Sequence, residues 1–350
     1  VFLGEPSDDP SRFLGLTAVS PRGGRYPLGE LVGAGSQALV FAVPGAPLVV
    51  KVLRPSFVMG SPEVARVVVE KEHVALAHMF GLGSPYLIRL FDSGTLPQGR
   101  LLLPWLALSR VPPSPLGLTL GERVQATVRA TGVGFAPSRA MRLLWRLSEG
   151  LRVLHEAGLI HRDLKPSNVL VAGDADDETP LIADFGIVRA AGLAPTFGGG
   201  FHLGSPGYGA PESADATRVS AATDLFSFAA ITFLLLAGEP PFRGSDMVIW
   251  AHIQGGVLRP LAARERLHPA LRASSELPAI AALLQRALSP RPAERPPSVR
   301  AFWTDFGPLL GRVMRDEGLG PPSAPHAPRS LRETAAFEGL TFPHDDGDDT

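Results

Sequence analysis

His161-Arg162-Asp163-Leu164-Lys165-Pro166-Ser167-Asn168 is the stretch on which the reading of this chain turns. It follows a segment with Leu144, Leu147, Leu151 and Leu154 on one helical face, so it leaves an amphipathic helix and enters a loop. Two of its residue types are scarce elsewhere. Of 33 basic residues only Lys51, Lys71 and Lys165 are lysine, and Asn168 is the sole asparagine. A point-charge contact to a phosphate can require lysine rather than arginine. A Mg²⁺ ligand must offer oxygen, which asparagine has and arginine lacks. Their survival here directs attention to phosphate and metal chemistry.

Upstream, Tyr26–Val32, Leu39–Val43 and Leu48–Leu53 read as three short strands separated by glycine turns. The turn Gly33-Ala34-Gly35-Ser36-Gln37-Ala38 runs strand to strand, with Val40 continuing the second strand, so it is no dinucleotide-binding loop. A hairpin with so little side-chain bulk lets backbone amides approach phosphates; a plain β-turn is the alternative. Lys51 sits within the apolar third strand, and a buried lysine must be paired or lose its proton. Ser61-Pro62-Glu63 carries the signals of a helix start. On that helix Glu72 shares a stripe with Val64, Val68, Leu76 and Phe80, which makes it the expected partner of Lys51. Tyr86–Phe91 and Arg100–Trp105 read as two further strands. Residues 107–137 are rich in Pro, Gly and Ser around a short helical segment, and helices follow to about Leu310. A small β lobe joined to a larger helical lobe makes the cleft between them the default ligand site.

The stretch at 161–168 resembles the catalytic loop of protein kinases, and the order of the other motifs extends the resemblance from about Arg25 to Leu310. The style is that of the eukaryotic-like (Hanks-type) serine/threonine kinases of bacteria. The resemblance implies an α+β, bilobal fold and transfer of the ATP γ-phosphoryl group to a protein Ser/Thr hydroxyl. It implies that Asp163 accepts the hydroxyl proton, that Lys165 contacts the γ-phosphoryl, and that Lys51 paired with Glu72 holds the α- and β-phosphates. Asn168 and Asp184, the latter in Asp184-Phe185-Gly186, would bind Mg²⁺. Val32, Gly33, Ala34, Gly35 and Val40 would cover the nucleotide, and Leu106 would bond the adenine from the hinge. Glu212 closes Gly204-Ser205-Pro206-Gly207-Tyr208-Gly209-Ala210-Pro211-Glu212 and would pair with Arg295, while Asp224 would anchor the backbone around His161 and Arg162. Ser205 stands where such kinases carry Thr or Ser. Arg162 invites a phosphate on the activation loop, and Thr196 is the only threonine between Asp184 and Glu212. The alternative for Thr196 is an unmodified loop hydroxyl.

Two departures stand out. Ala38 replaces the third loop glycine, with Gln37 in place of an aromatic, and Pro104 stands where the hinge often has glutamate. A kinase-shaped binding scaffold would be expected to lose Lys51, Asp163, Asn168 or Asp184, and all four are present. A small-molecule phosphotransferase of related chemistry would lack the segment from Gly204 to Glu212.

Composition sets the outer limits. A net charge of -1 gives no global electrostatic case for nucleic acid. The absence of cysteine excludes disulfides and thiolate chemistry and is compatible with the cytoplasm. The longest apolar run, Leu225–Ala237, is too short to span a membrane and reads as a buried helix, and no signal peptide is apparent. The chain opens on Val1 and is read as a piece of a longer protein. The expected organisation is an N-terminal extension at 1–24, a kinase domain at 25–311 (lobes 25–106 and 107–311) and a flexible tail at 312–350. Oligomeric state is left open.

Overall fold

The computed structural model describes residues 6–60, 83–184, 207–215 and 217–316. Strands β1 (Thr17–Val19) and β2 (Arg25–Pro27) form an antiparallel pair. Next come β3 (Leu31–Ala34), β4 (Ala38–Ala42), β5 (Leu48–Leu53), the short helix α1 (Pro55–Gly60), β6 (Leu90–Gln98) and β7 (Leu101–Ser109). The last five strands make one antiparallel sheet in the order β3-β4-β5-β7-β6.

Alternation decides which way this sheet faces. In β5, Leu48, Val50 and Val52 are buried in the small-lobe core, while Val49 and Lys51 point to the other face. Val40 and Leu106 are the cross-strand partners of Lys51, so the three side chains form one row on that face.

The large lobe follows with α2 (Leu120–Thr131), α3 (Pro137–Glu156) and the hairpin β8 (Val169–Ala172) with β9 (Thr179–Ile182). Then come α4 (Ala221–Ala237), α5 (Asp246–Gly255), α6 (Pro269–Ala273), α7 (Leu277–Ala287) and α8 (Val299–Asp316). Helix α2 starts at a capping box of Thr119 and Glu122 and stops at Gly132 in the left-handed conformation. Helix α4 has the same devices, Ser220 with Thr223 at its start and Gly238 at its end. Every residue from Thr223 to Ala237 is buried, as a helix apolar on all sides requires. It runs through the middle of the large lobe, and α3, α7 and α8 pack against it. Among the described residues, no helix is long and apolar enough to cross a membrane.

Four expectations change. The strand expected at Tyr86–Phe91 starts only at Leu90. Before that, the chain runs along β9, with the Ile88 N–H donating to the Ile182 carbonyl at 2.9 Å and the Ile182 N–H to the Tyr86 carbonyl at 2.8 Å. Its apolar residues serve lobe packing rather than the sheet. The strand expected at Arg100–Trp105 continues to Ser109. Pro104 is tolerated in it because pairing with β5 stops at Val52 opposite Trp105, leaving Pro104 beside β6 alone. Leu106 is therefore no hinge residue. It lies mid-strand opposite Lys51, 2% exposed, with its side chain in the large core that joins the lobes. Finally, the segment read as an extension contributes to the small lobe: Phe13 and Ala18 are fully buried, and Phe13 stacks on Phe41 at 5.4 Å.

Candidate active site

The catalytic-loop candidate hangs from one carboxylate. Asp224, in the first turn of α4 and wholly buried, accepts the backbone N–H groups of His161 and Arg162, each at 2.8 Å. It also accepts from His155 Nε2 at 2.9 Å. Burial alone would raise this carboxyl, but the hydrogen bonds and charge from His155 and the contacts of His161 outweigh burial and hold it below the usual range. The anchored backbone includes Arg162 at a φ of 70°, a left-handed conformation uncommon outside glycine. His155, on the last turn of α3, carried no signal in the sequence that set it apart from an ordinary surface histidine.

Asp163 follows directly. Lys165 Nζ donates to its Oδ2 at 2.9 Å. Asn168 sits in a short 3₁₀ turn, 5% exposed, and its amide nitrogen donates to the Asp163 carbonyl at 2.8 Å and to its carboxylate at 3.2 Å. That commits the nitrogen and leaves the amide oxygen as the group able to accept.

Asp184 is set by its neighbour. The Ala183 N–H donates to the Asn168 carbonyl at 2.9 Å, and His161 Nε2 donates to the Ala183 carbonyl at 3.0 Å. Both backbone groups of Ala183 are thus tied to the catalytic loop, and Asp184 leaves β9 at a φ of 51°. Lys51 Nζ donates to Asp184 Oδ1 at 2.6 Å across the seam between the lobes. The Lys51 ammonium lowers the Asp184 carboxyl despite an opposing desolvation effect, and His161 and Lys165 add to the lowering. Five side chains therefore share one site: Lys51 from β5, Asp163, Lys165 and Asn168 from the loop, and Asp184 from the end of β9.

Above them, Val32 to Gly35 form β3 and the start of its hairpin to β4, closed by the Gly35 N–H donating to the Ala38 carbonyl at 2.9 Å. A residue absent from the expectations holds this turn: Arg54 Nε donates to the Gly35 carbonyl at 2.7 Å. Arg54 reaches it from the end of β5. Its only sequence signal was its closeness to Lys51.

Away from the seam, Glu212 and Arg295 form a buried bidentate pair at 2.6 and 3.0 Å. Thr223 Oγ1 donates to the same carboxylate, and the Phe226 ring lies under the guanidinium, 5.0 Å from ring centre. Glu72, Phe185, Gly186, Thr196 and Ser205 lie outside the described residues, as does the helix expected from Ser61.

A small antiparallel sheet over a helical lobe, with a lysine, two aspartates and an asparagine gathered in the seam, is the design of an ATP-dependent phosphotransferase. The chain belongs to the protein kinase domain family, with residues 29–306 matching that family. It is 27% identical over 329 residues to the serine/threonine-protein kinase PknB of Mycolicibacterium smegmatis, covering 91% of this chain and 47% of that protein. It is 31% identical to the serine/threonine-protein kinase PksC of Streptomyces coelicolor over 289 residues, covering 80% and 48%. Its fold is also that of the kinase domain of PknI from Mycobacterium tuberculosis, with a TM-score of 0.58 and 24% identity over 82% of this chain and 96% of that one. The chain spans about half the length of the curated relatives it matches.

Proposed function

We propose that this chain moves the γ-phosphoryl group of ATP onto a serine or threonine hydroxyl of a protein, and that it does so in the cytoplasm. The acceptor oxygen attacks the γ-phosphorus, its proton passes to Asp163, and the bond to the β–γ bridging oxygen breaks to release ADP. Lys165, in contact with Asp163, offsets charge on the transferring group. Lys51 faces the α- and β-phosphates from the sheet, and the hairpin held by Arg54 covers them. Catalysis here is chiefly positioning and charge neutralisation.

Mg²⁺ fits the donor set. The free oxygen of Asn168 and the carboxylate of Asp184 are two hard ligands, and no cluster of three or more metal-binding side chains occurs among the described residues. Two protein oxygens completed by phosphate and water suit Mg²⁺ better than a cation needing a full protein cage. Bound there, it would neutralise phosphate charge.

The observation that carries the reading is the convergence of the Lys51–Asp184 pair with the Lys165–Asp163–Asn168 group in one seam. A radiolabelled-ATP assay on the purified chain with a generic basic protein acceptor tests it. Transfer to serine or threonine is expected, with Asp163→Asn folded but slower by a factor on the order of 10² or more. Undiminished transfer by Asp163→Asn, or an acceptor that is a small molecule and never a protein, would refute the assignment.

A further inference from the structure

Next to the catalytic loop the large lobe opens into a groove of about 670 Å³. Lys165, which touches Asp163, forms one wall. The face of α2 that carries Val124 and Val128 supplies an apolar floor with Leu234 of α4. The rim is basic: Arg129 from the last turn of α2 and Arg266 from the loop preceding α6, both exposed. Two contacts hold that loop in place. The Gly134 N–H donates to the Arg266 carbonyl at 2.8 Å, and a β-carbon built on Gly238 would meet both Val128 and Arg266 within 3.3 Å.

Among the described residues, the lining of the groove carries three cations and no acidic side chain. Asp163 is held by Lys165, and two acids next in sequence to the lining are engaged elsewhere. Glu122 caps α2 through the N–H groups of Leu118 and Thr119, and Glu239 pairs with Arg243 and Arg264. Neither Arg129 nor Arg266 has an ion-pair partner among the described residues. The two guanidinium groups, beside a lysine that reaches the catalytic aspartate, leave positive potential at the rim that no carboxylate among the described residues pairs.

We infer that this groove selects the acceptor protein, taking a segment whose serine or threonine is flanked by an anionic side chain, a carboxylate or a phosphate. The inference rests on the phosphotransfer reading above for what happens next, but binding itself does not. Apolar side chains of the segment cover Val124, Val128 and Leu234, and the anion lies between Arg129 and Arg266. Lysine-rich segments are disfavoured by like charge.

Three fluorescein-labelled peptides test this, identical except for flanking residues that are glutamate, phosphoserine or lysine, each with alanine replacing the acceptor. Fluorescence anisotropy is read on the chain and on two charge variants, R129E/R266E and R129Q/R266Q, whose folding is checked by thermal melting. The glutamate and phosphoserine peptides are expected to bind roughly fivefold or more tighter than the lysine peptide, a preference that weakens with salt. The glutamine variant should erase this preference and the glutamate variant invert it. Tighter binding of phosphoserine than glutamate identifies phosphate as the preferred anion, and equal binding shows that a carboxylate suffices; either supports the groove. Equal binding of all three peptides, or a preference that survives charge reversal, overturns it. With serine restored, kcat/KM should follow the same order. Anion-selective binding without any phosphate transfer would instead refute the proposed activity while leaving the groove intact.

Discussion

Arg162 and Asp184 are the two described residues other than glycine with positive φ, and both flank the reacting centre. Such conformations cost on the order of 1–3 kcal/mol each and persist where surrounding contacts over-determine them. For Arg162 the contact is Asp224, whose two oxygens meet the N–H groups of the consecutive residues His161 and Arg162. An asparagine at 224 would present one oxygen and turn an N–H₂ toward a donor. Asp224→Asn is therefore expected to cost roughly 3 kcal/mol or more near neutral pH, because it breaks a buried charged network. The folded carboxyl is held below its usual range, whereas in the unfolded chain it titrates at about 3.9. The stabilisation is therefore complete above that pH and drains away as pH falls toward the lower folded value. Urea melts of both proteins at pH 7 and at progressively lower pH should show the gap between them narrowing below about pH 4. A constant gap would mean that the carboxylate charge is not what anchors the loop. At this scale the sequence was highly legible where residue types were scarce: Lys51, Lys165 and Asn168 stood out because the chain spends so few lysines and asparagines elsewhere. The partners that position them were not legible, since His155, Arg54 and Ala183 are common residues whose contacts depend on tertiary placement.

Elements owe their positions to contacts that no periodicity announces. The turn before β9 carries Glu178, 2% exposed, which receives Arg139 at 2.6 Å through both Nε and a terminal nitrogen, and Arg123 at 3.0 Å. Arg146 adds a bond to the Glu178 carbonyl. Arg123, fully buried on α2, also reaches the carbonyls of Gly117, Val171 and Gly173 and the carboxylate of Asp174. One acid thus joins α2, α3 and the β8–β9 hairpin, and β8 and β9 lead out of Asn168 and into Asp184. Glu178→Ala would leave two guanidinium groups short of their counter-charge, at a cost of about 3–5 kcal/mol. Equilibrium unfolding measures it directly, and a loss below about 1 kcal/mol, the range of an exposed pair, would show that water reaches these arginines. The helices themselves were readable from apolar stripes and runs, as α3 and the buried run Leu225–Ala237 of α4 demonstrate. Strand limits around the lobe junction were not. Apolar residues at Tyr86 to Ile88 look the same whether they face a sheet or, as here, lie along β9, and a proline at 104 suggests an interruption unless the register of β5 is known.

Across the whole molecule, two apolar cores meet at the sheet: Leu106 of β7 and Leu90 of β6 belong to the large one, and Trp105 and Ala107, which flank Leu106 on β7, to the small one. The sheet is thus the floor of one lobe and the ceiling of the site. The small core is the thinner of the two, which gives weight to what residues 8–20 add to it. Phe13 is fully buried against Phe41, β1 pairs with β2, and Asp8 accepts both the backbone and hydroxyl of Ser56 at 2.9 and 2.5 Å while its carboxylate lies 3.5 Å from Arg54. The same Arg54 holds the Gly35 carbonyl, so this opening segment braces the β3–β4 hairpin. Its sequence, short and broken by Pro, Gly and Ser, has too few residues per element to show a period, and its role emerges only from where Phe13 lands. If the segment were a loose extension, Phe13→Ala would leave stability unchanged. Packed as it is, removing a buried aromatic ring should cost about 3–5 kcal/mol. Because the loss falls on the small lobe, it should register first in nucleotide binding: the variant's KM for ATP should rise at temperatures where large-lobe helicity, followed by circular dichroism, is still intact. A variant that melts like the parent and binds ATP equally well would detach these residues from the domain and return its boundary to Arg25.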